Sequence, residues 1–394
     1  MTLVLVFACL PLLYYLSAID TAWRFLRERV PAGGTTPECT PPISVLKPVR
    51  GLDRRAFENF ASFCGQDYPS YEIVFAVADE DDPAVAVIRQ LIEQFPSQAI
   101  RLVVGAPELG PSSKMNKLCR LVREARYDLL VVSDSDISVP RGYLRAVAAP
   151  FRNPKVGAVT CLYRGLPERR LASDLEAIGI STDFAAGVLV ARRLEGIGFA
   201  LGATMATTRT HLAEIGGFEA LVECCADDFE LGHRIAMRGH RVELADCIVS
   251  TDCAAASLRD LFNRELRWAI TLRHSRPLGH VGRTLVGQGL PWSLAAAAVA
   301  RPLWMAGAFV SAYLVLRLTL AWVVGWRVLG DQTVRRRWWL VPMHDAIAFL
   351  ISLAAFCSNR IEWRGRMYQL QRGRLVAIHT SSRQADRSTR YLRT

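Results

Sequence analysis

The sequence predicts an α/β domain hung on membrane helices, and three observations carry that reading. Residues Thr2–Ile19 are apolar without a charge until Asp20. From Ile43 to about Asp246, β-rich apolar runs alternate with helical patterns, the rhythm of a mostly parallel sheet covered by helices on both faces. Three more apolar segments lie between Thr284 and Cys357, the first short and holding Pro291, the second holding Arg317 and the third His344 and Asp345, and they point to a bilayer.

The elements follow in order. Arg24, Arg27 and Arg29 come after the first apolar run. A cleaved leader carries its basic residues before the run, so residues 1–20 are expected to be an uncleaved anchor whose downstream side is cytosolic. Residues 21–42, rich in Pro, Gly and Thr towards their end, are expected to be a linker. Residues 43–280 make the folded domain. Strands are expected at Ile43–Lys47, Glu72–Val77, Ile100–Val104, Asp128–Ser133, Val156–Cys161, Phe199–Thr207 and Arg241–Ala245, with helices at Arg54–Cys64, Pro83–Gln94 and Lys114–Ala125. Leu258–Leu272 reads as an amphipathic helix at the membrane surface. Membrane segments are expected over 284–357, as Thr284–Ala300, Leu303–Trp326 and Trp338–Cys357. Three full crossings would put the Arg-rich tail, 358–394, opposite the folded domain, so Thr284–Ala300 is expected to be re-entrant or interfacial.

Composition excludes some classes. The net charge of +11 is weighted to the tail, where nine Arg face Glu362 and Asp386. A basic tail after a membrane segment meets anionic headgroups or is merely solvated, and no basic stripe on the folded domain points to nucleic acid. Ten Cys show neither metal-ligand spacing nor a secreted disulfide framework, as in a reduced, cytosol-facing protein. Four Lys against forty-four Arg fit a GC-rich bacterial coding sequence, and a bacterial inner membrane is the expected location.

Four motifs carry chemistry. Asp134-Ser135-Asp136 follows the apolar run Leu129–Val132. Residues i and i+2 of extended chain share a side, so the two carboxylates can hold a hard divalent cation at the ligand crevice of an open sheet; a polar loop is the competing reading. Asp79, in Ala78-Asp79-Glu80-Asp81-Asp82-Pro83, ends another strand and can meet a ribose or base edge, while Asp81 or Asp82 before Pro83 reads as a helix cap. Asp227-Asp228 opens a helical segment; Asp227 reads as its cap and Asp228 as a carboxylate able to accept a proton from an attacking hydroxyl. Arg264 and Arg267 stand at i and i+3 beside Trp268, two guanidinium groups for a diphosphate and a flat indole for a sugar.

In this order the motifs resemble glycosyltransferase family 2, whose pattern is Asp, Asp-x-Asp, Asp, then Gln/Arg-x-x-Arg-Trp. The stretches Ile43–Gly51, Gln66–Glu72, Val77–Ala84, Lys114–Leu118 and Trp363–Leu370 narrow the resemblance to the ceramide glucosyltransferase-like group, family 21, with its bacterial hopanoid-associated members. The resemblance implies a GT-A (Rossmann-like) fold, a UDP-sugar donor, Mg²⁺ or Mn²⁺, and a membrane lipid acceptor, ceramide or a hopanoid polyol, receiving glucose or N-acetylglucosamine. By the same resemblance Asp79 is the uridine-side aspartate, Asp134 and Asp136 the metal–diphosphate pair, Asp228 the general base, and Arg264, Arg267 and Trp268 the clamp, with Lys47 and Lys114 as further nucleotide contacts. Two departures stand out. Animal members read Asp-Ser-Gly at Asp134-Ser135-Asp136, and a His-Pro pair where this chain has Ser181-Thr182-Asp183-Phe184, which leaves ceramide as acceptor in question. A processive polysaccharide synthase shares the motifs but needs enough spans for a channel; a non-catalytic scaffold would not need all four acidic positions.

Overall fold

The computed structural model describes residues 2–28, 40–363 and 366–378. Most of the linker, 29–39, and the end of the tail, 379–394, lie outside them. The first apolar run forms helix α1, Thr2–Glu28, which continues past the expected boundary at residue 20.

An eight-stranded sheet forms the centre of the domain, in the order β3-β2-β1-β4-β7-β6-β8-β5. The strands are β1 (Ile43–Pro48), β2 (Tyr71–Val77), β3 (Ile100–Val104), β4 (Leu129–Val132), β5 (Ile137–Ser138), β6 (Val156–Pro167), β7 (Met205–Thr208) and β8 (Arg241–Cys253). The β3–β4 half is parallel. In the other half, β7 runs antiparallel to β4 and β6, and β5 antiparallel to β8. Side chains alternate between faces as a pleat requires. Val45, Ile73 and Phe75 meet Phe60 and Phe63 of helix α2, Ala56–Cys64, and Ile88 of helix α3, Ala84–Gln94. Leu46, Val74 and Ala76 meet Met115 and Leu118 of helix α4, Ser113–Glu124.

Three strand expectations change. Strands β6 and β8 run well beyond Cys161 and Ala245 because they pair with each other, carrying polar residues such as Arg164, Ser250 and Thr251 that broke the apolar pattern. Phe199–Thr207 is strand only from Met205. The Leu201 amide donates to Thr160 Oγ1 at 2.9 Å and the Gly202 amide to Asp228 Oδ2 at 2.8 Å, so side chains take the groups a ladder would need.

After β6 the chain forms helix α5, Leu171–Gly179, a π-helical turn at Ile180–Phe184, and helix α6, Ala185–Glu195. Helix α7, Asp227–Met237, precedes β8, and helix α8, Leu258–Ser275, follows it. A hairpin comes next. Its outgoing arm ends in α9, Gly289–Val299, and its returning arm is α10, Leu303–Ala321, extended by a π-helical turn to Val328. Both ends hold the folded domain: Arg276 pairs with Glu195, and Arg164 Nη1 donates to the carbonyls of Leu329 and Gly330 at 3.0 and 3.1 Å.

Among the described residues, Thr2–Glu28, Leu303–Val328 and Gln332–Cys357 are long and apolar enough to cross a membrane, and Gly289–Val299 is shorter. The 11 residues of α9 reach about 16 Å, half a hydrocarbon core, in keeping with the short segment expected there. The polar residues within these helices face one another: Arg317 pairs with Asp345 at 2.8 Å, and Tyr313 Oη donates to Asp345 Oδ2 at 2.8 Å.

Helix α11, Val341–Cys357, packs along α8, with Ile270 and Ile351 in one buried cluster bordered by Phe262, Leu266 and Ile347. Both of its ends meet the folded domain, through Arg337 and Asp174 at 2.6 Å and through Arg273 Nη2 and the Ser358 carbonyl at 2.9 Å. The apolar stripe of α8 is therefore largely covered by protein, and Leu258 and Trp268 are the large apolar residues it leaves exposed. Beyond α11, residues expected in a basic tail, on headgroups or solvated, form strands β9 (Arg360–Trp363), β10 (Arg366–Gln371) and β11 (Arg374–Ala377). Leu375 N–H donates to the Glu223 carbonyl at 2.8 Å, so this part of the tail lies on the same side as the folded domain.

Candidate active site

The strand register sets the stage. Leu46 aligns with Val132, and Pro48 with Ala76, so β1, β2 and β4 release the chain at one edge, where open α/β sheets bind ligands. Asp134 lies just beyond β4. Asp79 lies just beyond β2, exposed, about 10 Å away by two strand spacings with β1 between. Asp82 ties down that loop by accepting from Gly51 N at 2.9 Å and Ala84 N at 2.9 Å, while Pro83 occupies the N-cap position expected for Asp81 or Asp82.

Asp134 and Asp136 are half-buried, while Ser135 is buried and donates to Asp53 Oδ2 at 2.6 Å. Thr251 Oγ1 donates to Asp136 at 3.1 Å. Burial, then the charges of Asp134 and Asp53, push the Asp136 carboxyl up to about 7.

Lys114 joins the acidic turns. Its ammonium lies 2.9 Å from Asp134 Oδ1 and 3.0 Å from Asp227 Oδ2. Burial opposes its charge, but Asp134, Asp227 and Asp228 outweigh burial and hold its pKa above the usual lysine range. The cap reading of Asp227 gives way here: Ala226 occupies the N-cap, and the Asp227 carboxylate is buried on Lys114. Asp228 accepts from Phe229 N at 2.8 Å as well as from Gly202. Burial, then Asp227, raise it to about 6, against Lys114. A Cβ on Gly202 would lie 3.2 Å from Asp228 Oδ2 and 3.3 Å from Asp134 Oδ2; the two carboxylates meet over this glycine.

Lys47 is placed differently. Its side chain is fully buried, donates to the Asp134 carbonyl at 2.6 Å and sits 4.0 Å from the Phe63 ring centroid. It supports the Asp134 turn from beneath. Burial lowers its ammonium to about 7, against the pull of Asp134, Asp136 and Asp53. Arg264 and Arg267 also divide. Arg264 pairs with the buried carboxylate of Glu176 at 2.8 Å, whereas the Arg267 guanidinium lies 6.0 Å from the Trp268 ring, and Thr271, on the same helix, contacts Cys225 Sγ at 3.3 Å.

The motifs do not reveal Gly202, Asp53, Thr251 or Tyr163. Tyr163 lies on β6 and its ring is 5.2 Å from that of Phe184. Burial, followed by the carboxylates of Asp228, Asp136 and Asp134, keeps its phenol above the usual range. Pairing between β6 and β8 brings Tyr163 and Thr251 near each other, and no local pattern signals it.

A parallel half-sheet joined to a mixed half, with acidic turns on one edge, defines a GT-A glycosyltransferase fold. The chain matches the model for glycosyl transferase family 21 over residues 3–376, and it belongs to that family. It is 28% identical over 229 residues to ceramide glucosyltransferase 1 of Caenorhabditis elegans, covering 58% of this chain and 49% of that protein. It is 32% identical over 123 residues to the ceramide glucosyltransferase of Komagataella phaffii, covering 30% and 24%. The chain spans about half the length, or less, of these curated relatives. Among solved structures, mannosyltransferase PcManGT of Pyrobaculum calidifontis, in complex with GDP-Man and Mn²⁺, matches with a TM-score of 0.55 at 19% identity, covering 89% of this chain and 99% of that one. That likeness is one of fold.

Among the described residues no group of three or more His, Cys, Asp or Glu is arranged to hold a metal ion. Asp134 and Asp136 fit a different arrangement. They would supply two hard carboxylate donors, with Asp136 raised by burial and by neighbouring negative charge, and a diphosphate would supply the remaining oxygens.

Proposed function

We propose that this glycosyltransferase is an inverting, membrane-attached enzyme that moves a hexose, glucose or N-acetylglucosamine, from a UDP-sugar to the hydroxyl of a membrane lipid, ceramide or a hopanoid polyol. The convergence of Asp134 and Asp228 over Gly202, with Lys114 joining Asp134 to Asp227, is the observation that supports it.

In this reading the acceptor oxygen bonds to C1 of the sugar as the bond from C1 to the diphosphate oxygen breaks. Asp228 takes the hydroxyl proton; a base raised to about 6 is ionised at neutral pH yet close enough in basicity to serve. One displacement inverts C1. Mg²⁺ or Mn²⁺ held by Asp134 and Asp136 would supply charge neutralisation for the departing diphosphate. Asp79 meets the uridine side, Lys114 and Arg267 face the diphosphate, and Trp268 offers its exposed ring to the sugar. Arg264 holds Glu176 and thereby sets the angle of α8, and Lys47 sets the Asp134 turn.

Arginines at the end of α1 support a cytoplasmic face for the folded domain, in a bacterial inner membrane. The test is UDP release by the full chain in vesicles with ceramide or a hopanoid polyol, followed by mass spectrometry of the lipids. A β-linked monoglycosyl lipid is the expected product. Long polymer, or no UDP release with any lipid extract, would overturn the proposal.

A further inference from the structure

Residues 360–363 and 366–377 belong to what the sequence presents as a basic tail, yet they form an antiparallel sheet, β9–β11. Strands β10 and β11 are joined by Arg372-Gly373, both at positive φ, 51° and 81°, the backbone that a two-residue hairpin turn requires. On one face Tyr368, Leu370 and Leu375 are buried in a cluster with Ile270 of α8 and Ile351 of α11.

The edge strand extends the pairing into the active site. Leu375 N–H donates to the Glu223 carbonyl at 2.8 Å, and Cys225 N–H donates to the Gly373 carbonyl at 3.1 Å. Cys224 lies opposite Arg374, whose guanidinium also pairs with Glu223 at 3.1 Å. Glu223–Cys225 therefore acts as a fourth, short strand of this sheet. Ala226 follows as the N-cap of α7, then Asp227 and Asp228. The Cys225 contact with Thr271 ties the same segment to α8.

We propose that the β9–β11 sheet is a positioning latch for Asp228. By pairing with Glu223–Cys225 it fixes the backbone from which Asp228 projects, and by packing on α8 it holds that backbone in register with the helix bearing Arg267 and Trp268. The proposal rests on the role of Asp228 as base. Its physical basis is that a proton acceptor must sit within a fraction of an ångström of its working place, and a displacement of about 1 Å costs about a hundredfold in rate.

Chain terminations and a cross-link test it in the full membrane protein. Ending the chain after Ile378 should leave turnover unchanged. Ending it after Asn359 should lower kcat about a hundredfold while UDP affinity, read by tryptophan fluorescence, stays within about threefold. Hydrogen exchange of amides 223–230 should rise in the second variant with strand β1 still protected, and this reads the latch independently of any substrate. Cys224 and Arg374 form a non-hydrogen-bonded antiparallel pair, whose Cα atoms stand about 4.5 Å apart, within the span of a disulfide. R374C should thus cross-link to Cys224 on oxidation and keep its turnover. Unchanged exchange over 223–230 after termination at Asn359, loss of UDP binding in step with turnover, or a cross-linked enzyme that stops would each overturn the latch.

Discussion

The Gly202 amide donates to Asp228 Oδ2 at 2.8 Å, and the missing side chain of Gly202 leaves the space in which Asp228 and Asp134 approach each other. A methyl group there would stand 3.2 and 3.3 Å from their oxygens, tighter than ordinary contact. Gly202→Ala is therefore expected to move one carboxylate by a few tenths of an ångström and to lower turnover about tenfold or more. Circular dichroism should show an unchanged fold, and wild-type turnover would contradict the crowding argument.

Asp228→Asn removes the proton acceptor while keeping the shape. Transfer should fall about a thousandfold, with UDP-sugar binding largely retained by calorimetry. The pH profile carries its own sign. Burial and Asp227 raise Asp228 to about 6, so the carboxyl is protonated and inactive below that value. The kcat of the wild-type chain should fall as pH drops through about 6 and level off above it.

Arg264 and Arg267 should fail differently. Arg264→Ala leaves the Glu176 carboxylate, 1% exposed, without its ion-pair partner and with the Ala255 amide at 3.2 Å. An uncompensated buried charge costs stability, here about 2 kcal/mol because Arg264 itself is partly exposed. Adding Glu176→Gln should restore most of that loss in thermal unfolding. Arg267→Ala should instead raise the KM for the donor with little change in unfolding temperature.

The membrane arrangement makes a topological prediction. Helix α11 runs along α8 with both ends on the folded domain, and the α9–α10 hairpin returns to its starting side. A protease site inserted after Ile378 should be cut from the same vesicle face as one inserted in the exposed Asp79–Asp81 loop. Cleavage from opposite faces would show that α11 crosses.

Much of the site was legible because its chemistry is local. Asp79 and Asp134 follow apolar runs that had to be strands of one sheet. The amphipathic pattern of α8 was equally plain in the sequence, but the pattern does not name what covers the stripe. Helix α11 and the β9–β11 sheet cover much of it, through contacts close to a hundred residues away along the chain.

Amino-acid order alone thus determined the α/β class, the acidic turns and the apolar helices, since each depends on neighbours within a few positions. Tertiary structure decided that Lys47 lies beneath the Asp134 turn, that Asp227 serves Lys114 rather than a helix end, that Gly202 makes room for two carboxylates, and that part of the tail is a sheet. Those outcomes depend on which distant segments share space, and burial and charge pairing settle them only once the chain has closed on itself.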